Sequence, residues 1–377
     1  MAIELKNITK KYGETLAVDD FSILIPDNKI TVFIGPSGCG KTTTMKMING
    51  LIKRTDGDII INGSHIDEWD PIQLRRQIGY VIQSIGLFPH YTIYDNVATV
   101  PRLLKWDEGK IKERVYELLE LVNLDPAECV DKYPAQLSGG QQQRVGVARG
   151  LAADPDILLM DEPFGAIDPI NREQIQDSFL EIQKEIQKTI VFVTHDIHEA
   201  IKLGDYIAIL DEGKLVQFDT AFSVVNTPAT PLVEDLLGSD RAFKGLELLR
   251  VKDSMSSVPP TLKGDQTAGE AAKIMAEKNL SYKFVLNEKD QLLGYVSLKK
   301  AEASSPEIAV KEIIQDIETI QPNSTLLEAM NHIFAAALNT LPVVDSKNRL
   351  KGKIRMKTVL GKIEEIAGDD TSEDDEA

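Results

Sequence analysis

The sequence predicts an α/β protein in two parts: a larger domain built on a mainly parallel sheet, followed by a smaller module of two βαββα repeats. Three observations carry this reading. Over residues 1–236, short β-branched runs alternate with longer amphipathic stretches, as strands joined by crossover helices do. Beyond residue 250, two segments repeat one order of turn, capped helix, strand, hairpin, strand and helix, with a period of about 55–60 residues. Charge also divides the chain. Residues 1–240 carry 23 basic against 37 acidic side chains, residues 241–363 carry 19 against 14, and residues 364–377 carry none against eight.

In the first part the strand candidates are Ile30–Ile34, Ile157–Met160, Thr189–Val193 and Tyr206–Leu210, all short apolar runs. Helix candidates are Lys41–Gly50, Glu108–Leu121, Gly140–Ala153 and Pro169–Gln187. The stretch 226–240, rich in Thr, Pro and acidic residues, reads as an exit helix plus linker. The expected domains are therefore 1–240, a first repeat over 250–304, a second over 308–363, and an acidic, disordered tail over 364–377. In the repeats, the stretches 267–275 (Thr267-Ala268-Gly269-Glu270 at its start) and 324–330 (Ser324-Thr325-Leu326-Leu327-Glu328) are read as the capped helices. Neither repeat can hide a core alone, so the two are expected to pack on one another.

Composition narrows the function. With 42% hydrophobic and 27% charged residues in 377, the chain has the balance of a globular protein with sizeable cores. No apolar run approaches the ~20 residues that span a bilayer, and the N-terminal alternation of apolar and charged residues suits a strand better than a signal peptide. Any membrane-spanning part is expected on another chain. A net charge of −17 argues against nucleic acid as a partner. The two cysteines, Cys39 and Cys129, have no metal or disulfide spacing and read as free thiols in a reducing cytoplasm.

Directly after the strand Ile30–Ile34 and before a helix, Gly35-Pro36-Ser37-Gly38-Cys39-Gly40-Lys41-Thr42 fits the spacing of a phosphate-cradling loop. Glycines let backbone N–H groups wrap the phosphates at the positive end of the following helix. Lys41 can reach the outer phosphates, and the Thr42 hydroxyl can bind Mg²⁺. The apolar run Ile157-Leu158-Leu159-Met160 ends in Asp161, a carboxylate suited to holding Mg²⁺, and Glu162 follows, suited to polarising an attacking water. Leu137-Ser138-Gly139-Gly140-Gln141-Gln142-Gln143-Arg144 opens a further helix with Ser138 and two glycine N–H groups, a second phosphate cradle.

Residues 1–236 resemble the nucleotide-binding domain of ABC-type ATPases within the P-loop NTPases. The match to the ABC signature at Ser138, Gly139, Gly140 and Gln141 is the specific element. The resemblance implies ATP with Mg²⁺ as cofactors and a head-to-tail homodimer in which the signature of one copy closes over the nucleotide of the other. It implies that ATP is held by Gly35 through Thr43, including Thr43 itself, with Tyr12 stacking on adenine. It implies that Gln83 touches Mg²⁺ and the membrane partner, that Asp168 crosses the dimer, and that His195 contacts the γ-phosphate. Glu162, His195 and Gln83 are the expected catalytic residues, and Thr42, Gln83 and Asp161 the expected metal residues. His65, His90, His198 and His332 read as ordinary structural histidines.

The paired repeats resemble CBS domains. An ABC ATPase followed by a CBS pair, together with Leu87-Phe88-Pro89-His90-Tyr91-Thr92-Ile93, resembles the ATPase subunits of glycine betaine/carnitine/choline (quaternary-amine, osmoprotectant) importers. That resemblance implies permease subunits and a substrate-binding protein as partners, and a location on the cytoplasmic face of the cell membrane. A different small solute, such as an amino acid, with the CBS pair as a dimerisation module, is the alternative. DNA-repair and translation ABC ATPases usually carry two ATPase domains or a long coiled-coil insertion, and neither is seen.

The CBS pair departs from the usual ribose-binding Thr-x-x-Asp pattern. It has Ser297-Leu298-Lys299-Lys300 in the first repeat and Arg355-Met356-Lys357-Thr358 in the second. Hydroxyl and basic groups there suit an anion with several phosphates; the resemblance to osmoprotectant importers implies regulation through this pair by cyclic di-AMP or ionic strength, with cyclic di-AMP the expected ligand and Val258, Tyr282, Ser297, Thr340, Leu341, Arg355 and Thr358 as contacts. Basic residues at 347, 349, 351, 353, 355 and 357 alternate, which in a strand puts several on one face. Two readings stay open: stripe and acidic tail attract each other or compete for anionic lipid in a salt-dependent way, or hairpin and tail are simply solvated.

Overall fold

A computed structural model describes residues 3–82, 86–165, 167, 169–336 and 338–368. The chain divides into two compact units, Met1–Leu237 and Gly238–Ala377.

The first unit holds a six-stranded sheet in the order Lys214–Thr220, Tyr206–Asp211, Ile30–Ile34, Thr189–Val193, Ile157–Asp161, Ile78–Val81. All its pairings are parallel except that of the first two strands. Ile30–Ile34, Ile157–Asp161 and Thr189–Val193 are buried along their whole length, which explains their unbroken apolar composition. A second, antiparallel sheet, Thr15–Ile25, Ile3–Tyr12, Asp56–Ile61 and Ser64–His65, goes beyond the mainly parallel architecture that the sequence suggests. Between the sheets one core joins Ile3, Phe21 and Ile59 with Phe33, Leu159 and Val193, and encloses Met45 of the helix Lys41–Ile48. A separate group of helices, Ile93–Leu103, Glu108–Leu121 and Gly139–Leu151, packs together and carries the signature segment. Cys129, expected among polar helical residues, is buried.

In the second unit both capping boxes form: Thr267 with Glu270 opens Ala268–Glu277, and Thr325 with Glu328 opens Leu326–Ala335. The first repeat contributes a three-stranded sheet of Leu262–Lys263, Tyr282–Leu286 and Leu292–Ser297, the second a hairpin of Thr340–Val344 and Leu350–Arg355. Phe284, Leu286, Leu292 and Tyr295 of the first repeat close a core with Val344 and Leu350 of the second, so each repeat covers the other.

Two boundaries differ from the reading of the sequence. Helix Arg241–Leu248, which the expected boundaries leave between the domains, belongs to the second unit: Leu246 is buried in the core of the second repeat with Val251, Leu326 and Ile354. The last helix, Met356–Ala367, continues through residues 364–367, which composition assigns to the tail. Gly245 is where these two helices meet, since a Cβ there would lie 2.5 Å from Ile366 Cδ1. The Arg241 guanidinium donates to the carbonyls of Ile366 and Ala367, satisfying acceptors that a helix end leaves open. The remaining tail, 369–377, lies outside the described residues.

Replacing Leu246 by Ala should destabilise the second unit by about 2–5 kcal/mol through lost burial and a cavity. The measurement is thermal or urea unfolding of the full chain, and an unchanged transition would place residues 241–248 outside the folded module.

Candidate nucleotide site and the CBS cavity

Three parallel strands deliver the site residues to one edge of the sheet. Ile30–Ile34 leads into the glycine loop, Ile157–Asp161 ends at its carboxylate, and Thr189–Val193 leads through Thr194 to His195. In the sheet these strands lie side by side, with Thr189–Val193 between the other two. Their carboxyl ends, where open α/β sheets bind ligands, coincide.

The loop from Gly35 to Gly40 is shaped by close backbone approaches. A Cβ on Gly35 would lie 2.0 Å from the Leu210 carbonyl oxygen and 2.9 Å from Cys39 Sγ. Gly40, at φ +99°, would bring a Cβ within 2.5 Å of the Ala17 carbonyl oxygen. Only glycine fits either place. Pro36, Ser37 and Gly38 are exposed, Cys39 and Gly40 are buried, and Thr43 is half-buried in the first turn of the helix. Burial pushes the Cys39 thiol above its ordinary range, which keeps it protonated against the neighbouring Lys41. Lys41 is itself buried and donates from Nζ to the carbonyls of Gly35 (2.7 Å) and Pro36 (2.9 Å).

Thr42 Oγ1 donates to Asp161 Oδ1 at 2.9 Å, across 119 residues of chain. Asp161 is buried, and desolvation raises its pKa. A hydroxyl and a buried carboxylate in contact are a hard oxygen donor set of the kind Mg²⁺ takes, with a cation the natural compensation for the buried charge. Together with the backbone cradle and Lys41, these residues fit a nucleoside triphosphate and its Mg²⁺.

Glu162 adopts a left-handed backbone, φ +44°, held by its N–H to the Val193 carbonyl at 2.9 Å. This turn sends the side chain to the His195 side, where Oε1 lies 3.3 Å from Nδ1. His195 is 63% exposed and Glu162 22%. Tyr12 stands half-exposed at the end of its strand with the Lys10 ammonium 4.7 Å from the ring centroid. Ser138 caps the helix Gly139–Leu151 in a reciprocal box with Gln141, its Oγ accepting from Gln141 N at 3.3 Å. Gly139 faces open space, and Gly140 leaves room for Ile175 Cδ1, 3.0 Å from where a Cβ would stand. Gln83 and Asp168 lie outside the described residues.

Sequence reasoning missed what stands behind His195. Glu199, 5% exposed, accepts from Thr194 Oγ1 at 2.7 Å and from Gln176 Nε2 at 3.2 Å, and burial raises its pKa. Arg172 donates to the Ile167 carbonyl at 3.0 Å and approaches Glu199 at 3.9 Å. The local signal was a carboxylate four residues after His195 on the apolar side of a short helix.

In the second unit a cavity of about 290 Å³ is lined by Pro259, Pro260, Asn279, Ser281, Lys283 and Lys353, together with Tyr282, Thr340 and Arg355. It thus joins three of the seven expected contacts. Leu341 is fully buried in the core, which corrects its reading as a ligand contact. Ser297 caps the helix Leu298–Glu302 and donates to Gln315 Oε1, and neither it nor Val258 nor Thr358 lines the cavity. Lys283 and Lys353 were missed. Lys283 is only 4% exposed, and burial lowers the pKa of both lysines. Among the described residues, Lys283, Lys353 and Arg355 have no carboxylate within ion-pair distance. Elsewhere on the expected stripe, Arg349 and Lys351 are paired with Asp345 at 2.7 and 3.3 Å, and the Arg349 N–H groups hold that carboxyl well below its usual range.

Comparison with known proteins agrees with this geometry. The "ABC transporter" family profile matches residues 18–165, and the CBS domain profile matches residues 251–301 and 310–365. The glycine betaine/carnitine/choline transport ATP-binding protein of Bacillus subtilis is 43% identical, covering 98% of this chain and 99% of its own. The choline transport ATP-binding protein of the same organism is 46% identical, covering 95% of each chain. The osmoprotectant import ATP-binding protein of Salmonella typhimurium is 42% identical over 93% of this chain and 94% of its own. Among solved structures, a dimeric ATP-binding cassette in a post-hydrolysis state bound to ADP and Pi is 35% identical, with a TM-score of 0.52 over 58% of this chain and 98% of that one. The chain belongs to the ABC transporter ATPase subunits of the quaternary-amine and osmoprotectant importer family, and carries a C-terminal pair of CBS domains.

Proposed function

We propose that this chain is the motor of an importer for quaternary-amine compatible solutes (glycine betaine, carnitine or choline), working as a homodimer on the cytoplasmic face of the cell membrane. Permease subunits and a substrate-binding protein on other chains complete the transporter. The cargo class is supported by the activities named for the relatives, and the dimer by likeness to a cassette solved as one. Among the described residues no helix is long and apolar enough to cross a membrane, in keeping with a motor that works on separate permease chains.

The observation that carries the hydrolytic reading is the meeting of two pairs, Thr42 with Asp161 and Glu162 with His195, at the ends of neighbouring strands. Loop N–H groups and Lys41 would bind the phosphates of ATP, and Thr42 and Asp161 would hold Mg²⁺, which would neutralise phosphate charge. Glu162 accepts a hydrogen bond from the attacking water and orients it, while His195 holds Glu162 and faces the terminal phosphate. Ser138, Gly139 and Gly140 of a second copy offer N–H groups and a hydroxyl to that phosphate, so that each site is complete only across the dimer.

Regulation is assigned to the CBS cavity. Three cations with no carboxylate partner line it, and the buried one, Lys283, calls most for an anion, because burying unpaired charge is costly. The volume lies at the low end of small-molecule sites (roughly 300–1,000 Å³) and suits one nucleotide moiety. A phosphodiester such as cyclic di-AMP would satisfy Lys283, Lys353 and Arg355.

Two outcomes are expected. Glu162→Gln should lower ATP turnover by roughly 10²-fold or more while ATP binding persists, and a dimer should accumulate with ATP in size-exclusion chromatography with light scattering. Turnover at the parent rate would remove Glu162 from the hydrolytic role. In calorimetric titration of the full chain, cyclic di-AMP should bind saturably, and Lys283→Met should weaken binding about tenfold, or about 1.4 kcal/mol. An unchanged affinity would move the ligand elsewhere, and no binding would leave the CBS pair as a structural module.

A further inference from the structure

The contacts around His195 form a closed ring that the hydrolytic reading does not use. Starting at Glu162, the chain runs through Phe164, whose carbonyl accepts from Ile167 N at 3.1 Å. The Ile167 carbonyl accepts from Arg172 Nη2 at 3.0 Å. Arg172 Nε faces Glu199 Oε1 at 3.9 Å, and Arg172 Nη1 faces Asp196 Oδ2 at the same distance. Glu199 then accepts from Thr194 Oγ1 at 2.7 Å, and His195, the next residue, returns to Glu162 at 3.3 Å. Gln176, one helical turn beyond Arg172, supports the same carboxylate at 3.2 Å.

Two of these groups are expensive to bury without purpose. Glu199 is a carboxylate at 5% exposure, and Arg172 Nε is buried with no hydrogen-bond partner among the described residues. The gap between them exceeds the usual N–H···O length of about 2.9 Å, so the pair stands apart by about an ångström rather than in a finished bond. Thr194 is held on two further sides, by its N–H to the Phe33 carbonyl at 3.2 Å and by Asp196 N donating to its hydroxyl at 3.0 Å. The backbone that presents His195 is thereby fixed through Glu199, while the segment that follows Glu162 is fixed through Arg172.

We propose that Arg172 and Glu199 are positioning residues for ATP hydrolysis, tying the segment after Glu162 to the turn that carries His195 so that the two side chains hold their separation. Neither touches the reacting atoms. The inference rests on the assignment of Glu162 and His195 proposed above. A shift of about an ångström at a reacting group can cost on the order of 10²-fold in rate, which is the scale on which such a tether acts.

The test is steady-state ATPase kinetics and thermal unfolding of the full chain for Arg172→Met, Glu199→Gln and the double variant, with Glu162→Gln as reference. Each single variant should lower kcat roughly ten- to hundredfold and leave the KM for ATP within about twofold. The double variant, which removes both charges together, should recover the parent melting temperature yet keep the low kcat. Thr194→Ser should retain turnover and Thr194→Val, of the same shape, should lose it. Single-variant turnover within about twofold of the parent overturns the proposal, as does a double variant that regains kcat together with stability. If Glu162→Gln itself turns over normally, the hydrolytic assignment fails first and this inference falls with it. Loss only in Glu162→Gln sinks the tether and leaves that assignment standing.

Discussion

In a parallel sheet all strands finish on the same side, and the residues that follow them are brought together however far apart they lie in the chain. Here the register sets Phe33 opposite Val193 and Val193 opposite Asp161. The hydrogen bonding then continues past the strand ends, from Thr194 N to Phe33 O and from Glu162 N to Val193 O. Those two bonds fix the first residue after each strand, so the loop carboxylates and the histidine stand on a frame as stiff as the sheet. The left-handed turn at Glu162 is a local strain that this frame tolerates, and it aims the side chain at His195 instead of along the strand. The glycine loop depends on the same frame, because its tightest approaches are to backbone carbonyls of Leu210 and Ala17, which cannot move aside.

Much of this was legible because local rules decide it. Runs of apolar residues without alternation marked strands covered on both faces, and the hydroxyl residues at 267 and 324–325 marked the starts of both repeat helices. The loop, Asp161 and Glu162 could be read because motif spacing reports backbone geometry directly. What could not be read is set by contacts between distant segments. The helix Arg241–Leu248 contains Gly245, a poor helix former, and follows a stretch of linker composition; it forms because Leu246 and Gly245 pack against elements about a hundred residues away. Arg172 and Glu199 lie on separate helices, and nothing in the spacing between them signals that they face one another. Leu341 shows the opposite error: its neighbour Thr340 lines the cavity, but in a strand the next side chain turns to the core.

The basic residues of the second repeat also show why a count of charges says little about where charge acts. Lys351, Lys353 and Arg355 share the more exposed face of their strand, opposite Leu350, Gly352 and Ile354. Along that face the environment changes within a few residues. Near the hairpin turn Asp345 pairs with both Arg349 and Lys351 and offsets one of their two charges. At the other end Lys353 and Arg355 line the same cavity as the buried Lys283, with no carboxylate within ion-pair distance among the described residues. The strand therefore carries a gradient from a compensated to an uncompensated field.

The clasp of Arg241 on the final carbonyls of Met356–Ala367 has a topological side. The first helix of the second unit is fastened to its last, so the segment's entry and its exit emerge at one spot on the same body. A module whose ends adjoin can be spliced into a loop of another protein, or rejoined end to end and reopened elsewhere, without pulling its core apart. It is in this sense a portable cartridge.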